Sequence, residues 1–600
     1  MESIAIDPQA PNKLYILAGT SYFNNGKTAI LRSSDYGKNF SVTDITSQFK
    51  AHGNGMGRQS GEKLQVDPNN SNVLYCGTRW NGLFKSIDAG VTWSKLSGLD
   101  ITTTPNENGI SFVILNAADK NVNGTQTIYA GVSVIGNNLY KSSDGGQTFT
   151  AIAGAPTNFM PQRAVLANDG NLFITYGNGA GPHGHWSLPE PMDVGQIWKY
   201  NTQTGAWTNV TPAGISCAFG GISLDPGNSQ RVVASTINTY LLQDNNAYGD
   251  QVFLSTNGGV SWKNVFANMN IDPNGINWIN GHAIHWAGSI EFDPFNPQKV
   301  WITSGNGIFQ TDNIDAATTD CKFMVNGIEE TVPLDLVSIP NGPIVSVIGD
   351  YDGFRHTDVN QYVPQLSPTM GTTTGMAYAA QNSNIMLRVG DKMFYSANMG
   401  ETWTQCNTNG KKGSVAISAN GNVFLHCPEG STITYRSTDK GTTWTSISGL
   451  NVQDAKPVAD YVNANKFYIY NRANGSVLVS TNADVSFSTA GSPGANGSKI
   501  IRTTPDKEGD LWVALAGGGL TRSTDSGKTF ARLNTVSSCD AVGLGKAAPE
   551  SNYPAIYIWG TVNNILGLHR LIDEGATWQR VNDDAHEYGG PGNGQFVVAI

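Results

Sequence analysis

The side chains in this sequence that could do chemistry are carboxylates, a few histidines and a set of tryptophans. One aspartate setting recurs: Ser-x-Asp-x-Gly-x-Thr followed by Trp or Phe. It stands as Ser86-Ile87-Asp88-Ala89-Gly90-Val91-Thr92-Trp93 and as Ser142-Ser143-Asp144-Gly145-Gly146-Gln147-Thr148-Phe149. Further copies begin at Ser33, Ser255, Ser396, Ser437 and Ser523, with degenerate ones at Ser480 and Leu571. Clustered Asp and Ser oxygens could hold calcium. A binding site does not need nine copies, whereas a scaffold does, so the box reads as structural. Ser and Asp side chains tie nearby backbone groups, Gly takes the turn conformation, and the closing aromatic starts the next strand and buries itself. His183 and His185 suggest zinc only by proximity. The cysteines Cys76, Cys217, Cys321, Cys406, Cys427 and Cys539 are scattered without zinc spacing, so no metal and no cofactor are expected. One or two disulfides are compatible with them, and Cys406 and Cys427 are the nearest pair.

The elements that must position these residues follow from the spacing of the boxes. In the second half the copies lie 41, 43, 43 and 48 residues apart. In the first half they lie 53 and 56 apart, then 113, which implies one eroded copy. A period of roughly 40–50 residues with several strands per unit is the propeller signature. A second phrase precedes many boxes: an apolar strand, Asp-Pro, a few polar residues and an apolar pair. Examples are Ile6-Asp7-Pro8, Val66-Asp67-Pro68, Leu224-Asp225-Pro226 and Phe292-Asp293-Pro294. Proline cannot donate to a ladder, so Asp-Pro ends a strand. The expected fold is all-β, two tandem β-propellers of the seven-bladed type. The change of period puts one over residues 1–365 and the other over 366–600, with the crossover between Asp350-Tyr351-Asp352-Gly353-Phe354 and Gly371-Thr372. Residues 176–192 read as a loop insertion.

Composition agrees and excludes other classes. The 600 residues are 14% charged with a formal charge of −10, and contain 69 Gly. That is too few charges, and the wrong sign, for a nucleic-acid footprint or a polybasic membrane surface. No apolar run approaches a membrane span. The start, Met1-Glu2-Ser3-Ile4, has no signal-peptide pattern and reads as the middle of a strand.

Several longer stretches carry a family resemblance. They include Glu2-Ser3-Ile4-Ala5-Ile6-Asp7-Pro8, Gly57-Arg58-Gln59-Ser60-Gly61-Glu62, Ile290-Glu291-Phe292-Asp293-Pro294-Phe295-Asn296-Pro297, Gly327-Ile328-Glu329-Glu330-Thr331, Gly353-Phe354-Arg355-His356 and His586-Glu587-Tyr588-Gly589. With the boxes, these resemble glycoside hydrolase family 74, the xyloglucan-specific endo-β-1,4-glucanases and related reducing-end-specific cellobiohydrolases. The resemblance implies a secreted, extracellular, monomeric hydrolase of plant cell-wall xyloglucan or a related β-glucan, with no nucleic-acid or membrane partner. It implies inverting chemistry by two aspartates across a cleft between the propellers. Pro457-Val458-Ala459-Asp460-Tyr461-Val462-Asn463-Ala464-Asn465-Lys466-Phe467-Tyr468 is similar to the phrase holding the family's general acid, which makes Asp460 the acid; by itself Asp460 reads as a turn aspartate. The base belongs to a first-blade phrase, Tyr-Ala-Arg-Thr-Asp followed by Gly-Gly and an aromatic, and is expected in a segment upstream of Met1, with a closing strand expected beyond Ile600.

Glucan C–H faces stack on aromatic rings. Trp80, Trp186, Trp278, Trp286 and Trp559 are therefore candidates for sugar contact, with packing as the other reading. Trp93, Trp262, Trp403, Trp444 and Trp578 close boxes and are expected in the core. Arg58 and the pair Arg355-His356 could touch sugar or tie loops. The competing functions are a non-catalytic glycan-binding tandem propeller and a sortilin-like protein-binding receptor; a sialidase would want an Arg-Ile-Pro phrase, which is absent.

Overall fold

The computed structural model describes all residues except 20–25, 54–56, 183–190, 244–245, 330, 484–485, 575–576 and 584–600. The His183 and His185 pair and Trp186 lie outside the described residues. Two compact units result: Met1–Gly275 with Ile279–Glu329, and Ile276–Trp278 with Glu330–Ile600. This division falls before the expected boundary at residue 365. The sheet formed by Pro333–Ser338, Ile344–Ile348 and Gly353–His356 packs its first strand on the first strand of the next sheet, Thr373–Ala379, and so joins the second unit.

Nearly every sheet is a four-stranded antiparallel meander, as with Leu64–Asp67, Asn70–Gly77, Leu83–Ser86 and Ser94–Lys95. First strands of successive sheets lie side by side: Ser3–Ile6 on Leu64–Asp67, Leu64–Asp67 on Ile110–Leu115, and onward around each unit. This is the propeller arrangement. Six sheets per unit, five of them four-stranded, take this arrangement among the described residues, against seven for the expected type. The sheet running from Met160–Leu166 to Trp207–Asn209 fills the long gap between boxes, where one copy was expected to have eroded. The sheet built on Ile290–Asp293 departs from the pattern, with a fifth strand, Met269–Asp272, added parallel to Thr319–Phe323.

Burial explains why alternation is weak in these strands. An inner strand is covered on both faces by neighbouring sheets, so Asn70–Gly77 has five consecutive buried residues, whereas the outermost Ser94–Lys95 is exposed. The apolar cores sit between sheets. One joins Leu74, Phe84 and Trp93 to Ile30 of the preceding sheet and to Phe49 in the segment that follows it. Another joins Ala416, Leu425 and Ile447 to Phe467 and Ile469 of the following one. The box tryptophans serve these cores. Trp93 and Trp403 are buried, and Trp262, Trp444 and Trp578 pack half-buried against inter-sheet clusters.

The boxes are closed hydrogen-bond circuits. Ser86 Oγ donates to Asp88 Oδ1 at 2.8 Å and accepts from Gly90 N at 2.9 Å. Asp88 Oδ1 accepts from Thr92 N at 2.8 Å and Oδ2 from the Thr92 hydroxyl at 2.6 Å. The same circuit recurs at Asp144, Asp439 and Asp525. Asn257, Asn398 and Asn482 replace the acid in three copies and keep it, each amide donating to the hydroxyl four residues on. A turn that works with a neutral amide is held by local geometry, not by a cation. All six cysteines are free, so Cys406 and Cys427 form no disulfide.

Candidate functional site

In an antiparallel meander, the turns joining strands one to two and three to four lie at one end of the sheet. The turn joining strands two to three, and the crossing to the next sheet, lie at the other. The boxes are third-to-fourth turns. Any residue in a first-to-second turn therefore shares the box end, and the remaining loops gather at the opposite end.

Asp460 follows the two-residue strand Val458–Ala459 and precedes Phe467–Asn471, a first-to-second turn at the box end. Its side chain is 1% exposed. Oδ1 accepts from Val462 N at 2.9 Å and Asn463 N at 3.0 Å. Oδ2 accepts from the Tyr468 hydroxyl at 3.0 Å and from Gly509 N, in the next sheet, at 2.9 Å. The aspartates of the Asp-Pro phrase do the same work. Asp7 Oδ1 takes Gln9 N and Ala10 N, Asp225 Oδ1 takes Gly227 N, and Asp293 Oδ1 takes Phe295 N and Asn296 N. Asp67 also reaches the next sheet, through Thr125 N. Both oxygens of Asp460 are thus filled by donors, and no sugar oxygen can approach without opening the turn. This geometry is that of a turn tie, whereas the surrounding phrase led to the expectation of a proton donor.

The opposite end of the second unit presents a different carboxylate. Asp350 sits in the turn between Ile344–Ile348 and Gly353–His356, is exposed, and has φ +66°. No described residue donates a hydrogen bond to its side chain. Its backbone is clamped instead: Asp350 N donates to Thr372 Oγ1 at 3.0 Å, Tyr351 N to Gly349 O at 2.8 Å and Asp352 N to Gly371 O at 2.8 Å. A non-glycine residue held in the left-handed region by its surroundings is the kind of strain that collects at working sites. The signal was present in the chain. Asp350 is followed by Gly353 and Phe354, the same Asp, Gly, aromatic order as the first-blade phrase sought upstream.

The tryptophans separate by packing. Trp278 is 4% exposed, with its ring 4.9 Å from Tyr351 and 6.5 Å from Phe354, and so buttresses the Asp350 turn. Trp559 lies within the strand Ala555–Val562 and packs on a core cluster. Trp80 and Trp286 are half-exposed on loops at the end of the first unit away from the boxes. Trp80 sits edge-on to His52 at 5.2 Å. Burial first, then the charge of Arg79, holds His52 down to about 4, so its ring is neutral.

Trp286 has φ +56°, carries the Arg58 guanidinium 5.6 Å from its ring centroid, and donates from Nε1 to Asn238 Oδ1 at 3.1 Å. Arg58 is thus a partner of a half-exposed ring and not merely a loop tie. Buried Asp250 holds this loop, accepting from Ala287 N at 3.0 Å, Thr239 N at 3.0 Å and the Thr236 hydroxyl at 2.8 Å. Burial outweighs these donors and raises its carboxyl to about 6. Beside it, Tyr240, Tyr248, Gly281, His282 and His285 line a hollow of about 350 Å³. Arg355 ties loops, donating to Met399 O and pairing with Glu401. No group of His, Cys, Asp or Glu among the described residues could hold a metal ion.

No family model matches the chain. It is 34% identical over 660 residues to a xyloglucanase of a Paenibacillus species, covering 98% of this chain but only 62% of the relative's own length. It is 35% identical over 646 residues to a xyloglucanase of Acetivibrio thermocellus, covering 98% of this chain and 75% of that one. A solved Niastella koreensis family 74 enzyme superposes with a TM-score of 0.91 at 49% identity, over 100% of this chain and 87% of its own. A match along nearly the whole of this chain to both sequences and structure, on the same tandem-propeller fold, makes it a member of glycoside hydrolase family 74.

Proposed function

We propose that the chain hydrolyses β-1,4-glucosidic bonds of xyloglucan by acid/base chemistry, with water as nucleophile and Asp350 as the carboxyl that protonates the leaving oxygen. Asp350 itself carries the reading. It is an exposed carboxylate without a hydrogen-bond partner among the described residues, on a backbone that is clamped, strained and buttressed by Trp278. A proton donor must reach the glycosidic oxygen, which Asp350 can do and the filled carboxylate of Asp460 cannot. Inversion also needs a second carboxylate about 6.5–9.5 Å away to activate water; in this reading it is the aspartate of the first-blade phrase, so turnover is assayed on protein that carries that phrase. Trp80 and Trp286 are proposed to stack on the glucan, with Arg58 over the second ring. The substrate is a wall polymer too large to enter a cell, so the reading places the protein outside it, working as a monomer without a cofactor. The described residues include no helix long and apolar enough to cross a membrane.

The test is release of reducing ends from xyloglucan, with Asp350→Asn as the variant and the anomer of the first product followed by NMR. The reading expects α-anomer product from the wild type and none from the variant. Binding without release would make the chain a non-catalytic glycan-binding propeller.

A further inference from the structure

Beneath the Asp350 turn lies an ion pair that the chemistry above does not use. Asp352 is fully buried and, like Asp350, left-handed, with φ +58°. Its Oδ1 accepts from Met370 N at 2.8 Å and from Arg388 at 3.0 Å. Its Oδ2 accepts from Gly371 N at 3.0 Å and faces the Gln365 amide at 3.5 Å. Arg388 is also fully buried. Its guanidinium lies against two rings, 4.8 Å from the centroid of Phe394 and 4.9 Å from that of Trp403, and donates to Pro368 O. One carboxylate and one guanidinium thus fasten three pieces of chain: the turn 349–353, the loop 368–371 and the strand Asn382–Gly390.

The consequence runs through Thr372. The loop that Asp352 grips at Met370 and Gly371 continues directly into Thr372, whose hydroxyl accepts the Asp350 N–H. Gly371 O also receives the Asp352 N–H. The turn and the loop therefore hold each other, and the ion pair holds both. Two left-handed non-glycine residues within three positions need such outside anchoring to persist. A buried charged pair suits the task because its geometry is fixed once both partners are desolvated.

We propose that Asp352 and Arg388 are positioning residues that set where the Asp350 carboxyl stands. This rests on the reading of Asp350 as the proton donor. Proximity alone carries much of such catalysis, and displacing a reacting group by about 1 Å costs about 10²-fold.

The experiment compares two substrates on Asp352→Asn, Arg388→Met and Arg388→Lys: xyloglucan, and a 2,4-dinitrophenyl β-glycoside of a xyloglucan oligosaccharide. The dinitrophenolate leaves without a proton, so it bypasses the acid. Asp352→Asn is expected to lower kcat on xyloglucan by about 10²-fold while KM stays within about twofold. The aryl glycoside is expected to stay within about threefold of wild type. Arg388→Lys, which keeps the charge, should recover more of the xyloglucan rate than Arg388→Met does.

An unchanged kcat in Asp352→Asn overturns the proposal, as does an equal fall on both substrates, which marks a loss of fold and not of position. The underlying reading fails separately. If Asp350→Asn loses activity on both substrates equally or on neither, Asp350 is not the acid.

Discussion

Replacing Asp460 should cost stability and leave turnover. The carboxylate is 1% exposed and takes four donors: Val462 N, Asn463 N, Gly509 N and the Tyr468 hydroxyl. Asp460→Ala strands three backbone N–H groups and a phenol, each costing about 1–3 kcal/mol if water does not replace the acceptor. Partial hydration of a turn brings the total to about 3–5 kcal/mol. Asp460→Asn keeps Oδ1 for Val462 and Asn463 but turns an amide N–H toward Gly509 N. Tyr468 can rotate its hydroxyl to accept that amide, so one contact is lost outright, for about 1–3 kcal/mol. At about 2–4 °C per kcal/mol for domains approaching this size, Asp460→Asn should lower Tm by roughly 5 °C and Asp460→Ala by roughly 10 °C. Thermal unfolding by circular dichroism reads the first effect, and xyloglucan hydrolysis at 25 °C, well below the transition, reads the second. Turnover should stay within about threefold of wild type. An unchanged Tm together with a loss of about 10²-fold or more in kcat would return Asp460 to the role of acid.

Acid should unfold the protein through its boxes. Asp35, Asp144, Asp439 and Asp525 are held down to about 2, chiefly by the side-chain donor four residues on. A carboxyl depressed in the folded state stabilises above its unfolded value near about 4, and that contribution disappears as the pH falls toward about 2. A Tm series from pH 5 to pH 2 on the wild type, and on a variant with Asn at these four positions, should show a shallower fall in the variant. Glu2→Gln should destabilise the first unit by about 3–5 kcal/mol in urea unfolding, because Arg79 and Lys63 would be left buried with uncompensated charge. Burial pushes Glu2 upward, but Arg79 and Lys63 bring it to about 2. Trp286→Ala should weaken xyloglucan binding about tenfold, near 1.4 kcal/mol, in affinity electrophoresis at unchanged Tm. Trp278→Ala should instead cost about 3–5 kcal/mol of stability.

What was legible in the sequence was what is held locally. Each box is tied by bonds spanning two to four residues, so its pattern survives in the chain, and the spacing of boxes counts the sheets. Asn257 and Asn398 stand where other copies carry the acid and leave the same turn, because only the local donors and acceptors matter. The domain boundary was less legible because the sheet from Pro333 to His356 carries no well-formed box, and its allegiance is decided by packing on Thr373–Ala379. The site was least legible. Phrase similarity around Asp460 could not say at which end of its sheet the residue falls, nor that Gly509 from the next sheet fills its second oxygen. Trp278 and Trp286 stand eight residues apart in similar Gly- and Asn-rich surroundings, yet one is packed on Tyr351 and the other carries Arg58 on an open loop. Only tertiary contact separates them.

The central claim is that Asp350, and not Asp460, delivers the proton. Xyloglucan hydrolysis by Asp350→Asn and Asp460→Asn, measured side by side with the wild type as reducing ends released, tests it most directly. Asp350→Asn should lose about 10²–10⁴-fold in kcat while Asp460→Asn turns over within about threefold of wild type. Retained turnover in Asp350→Asn beside a collapse in Asp460→Asn would contradict it.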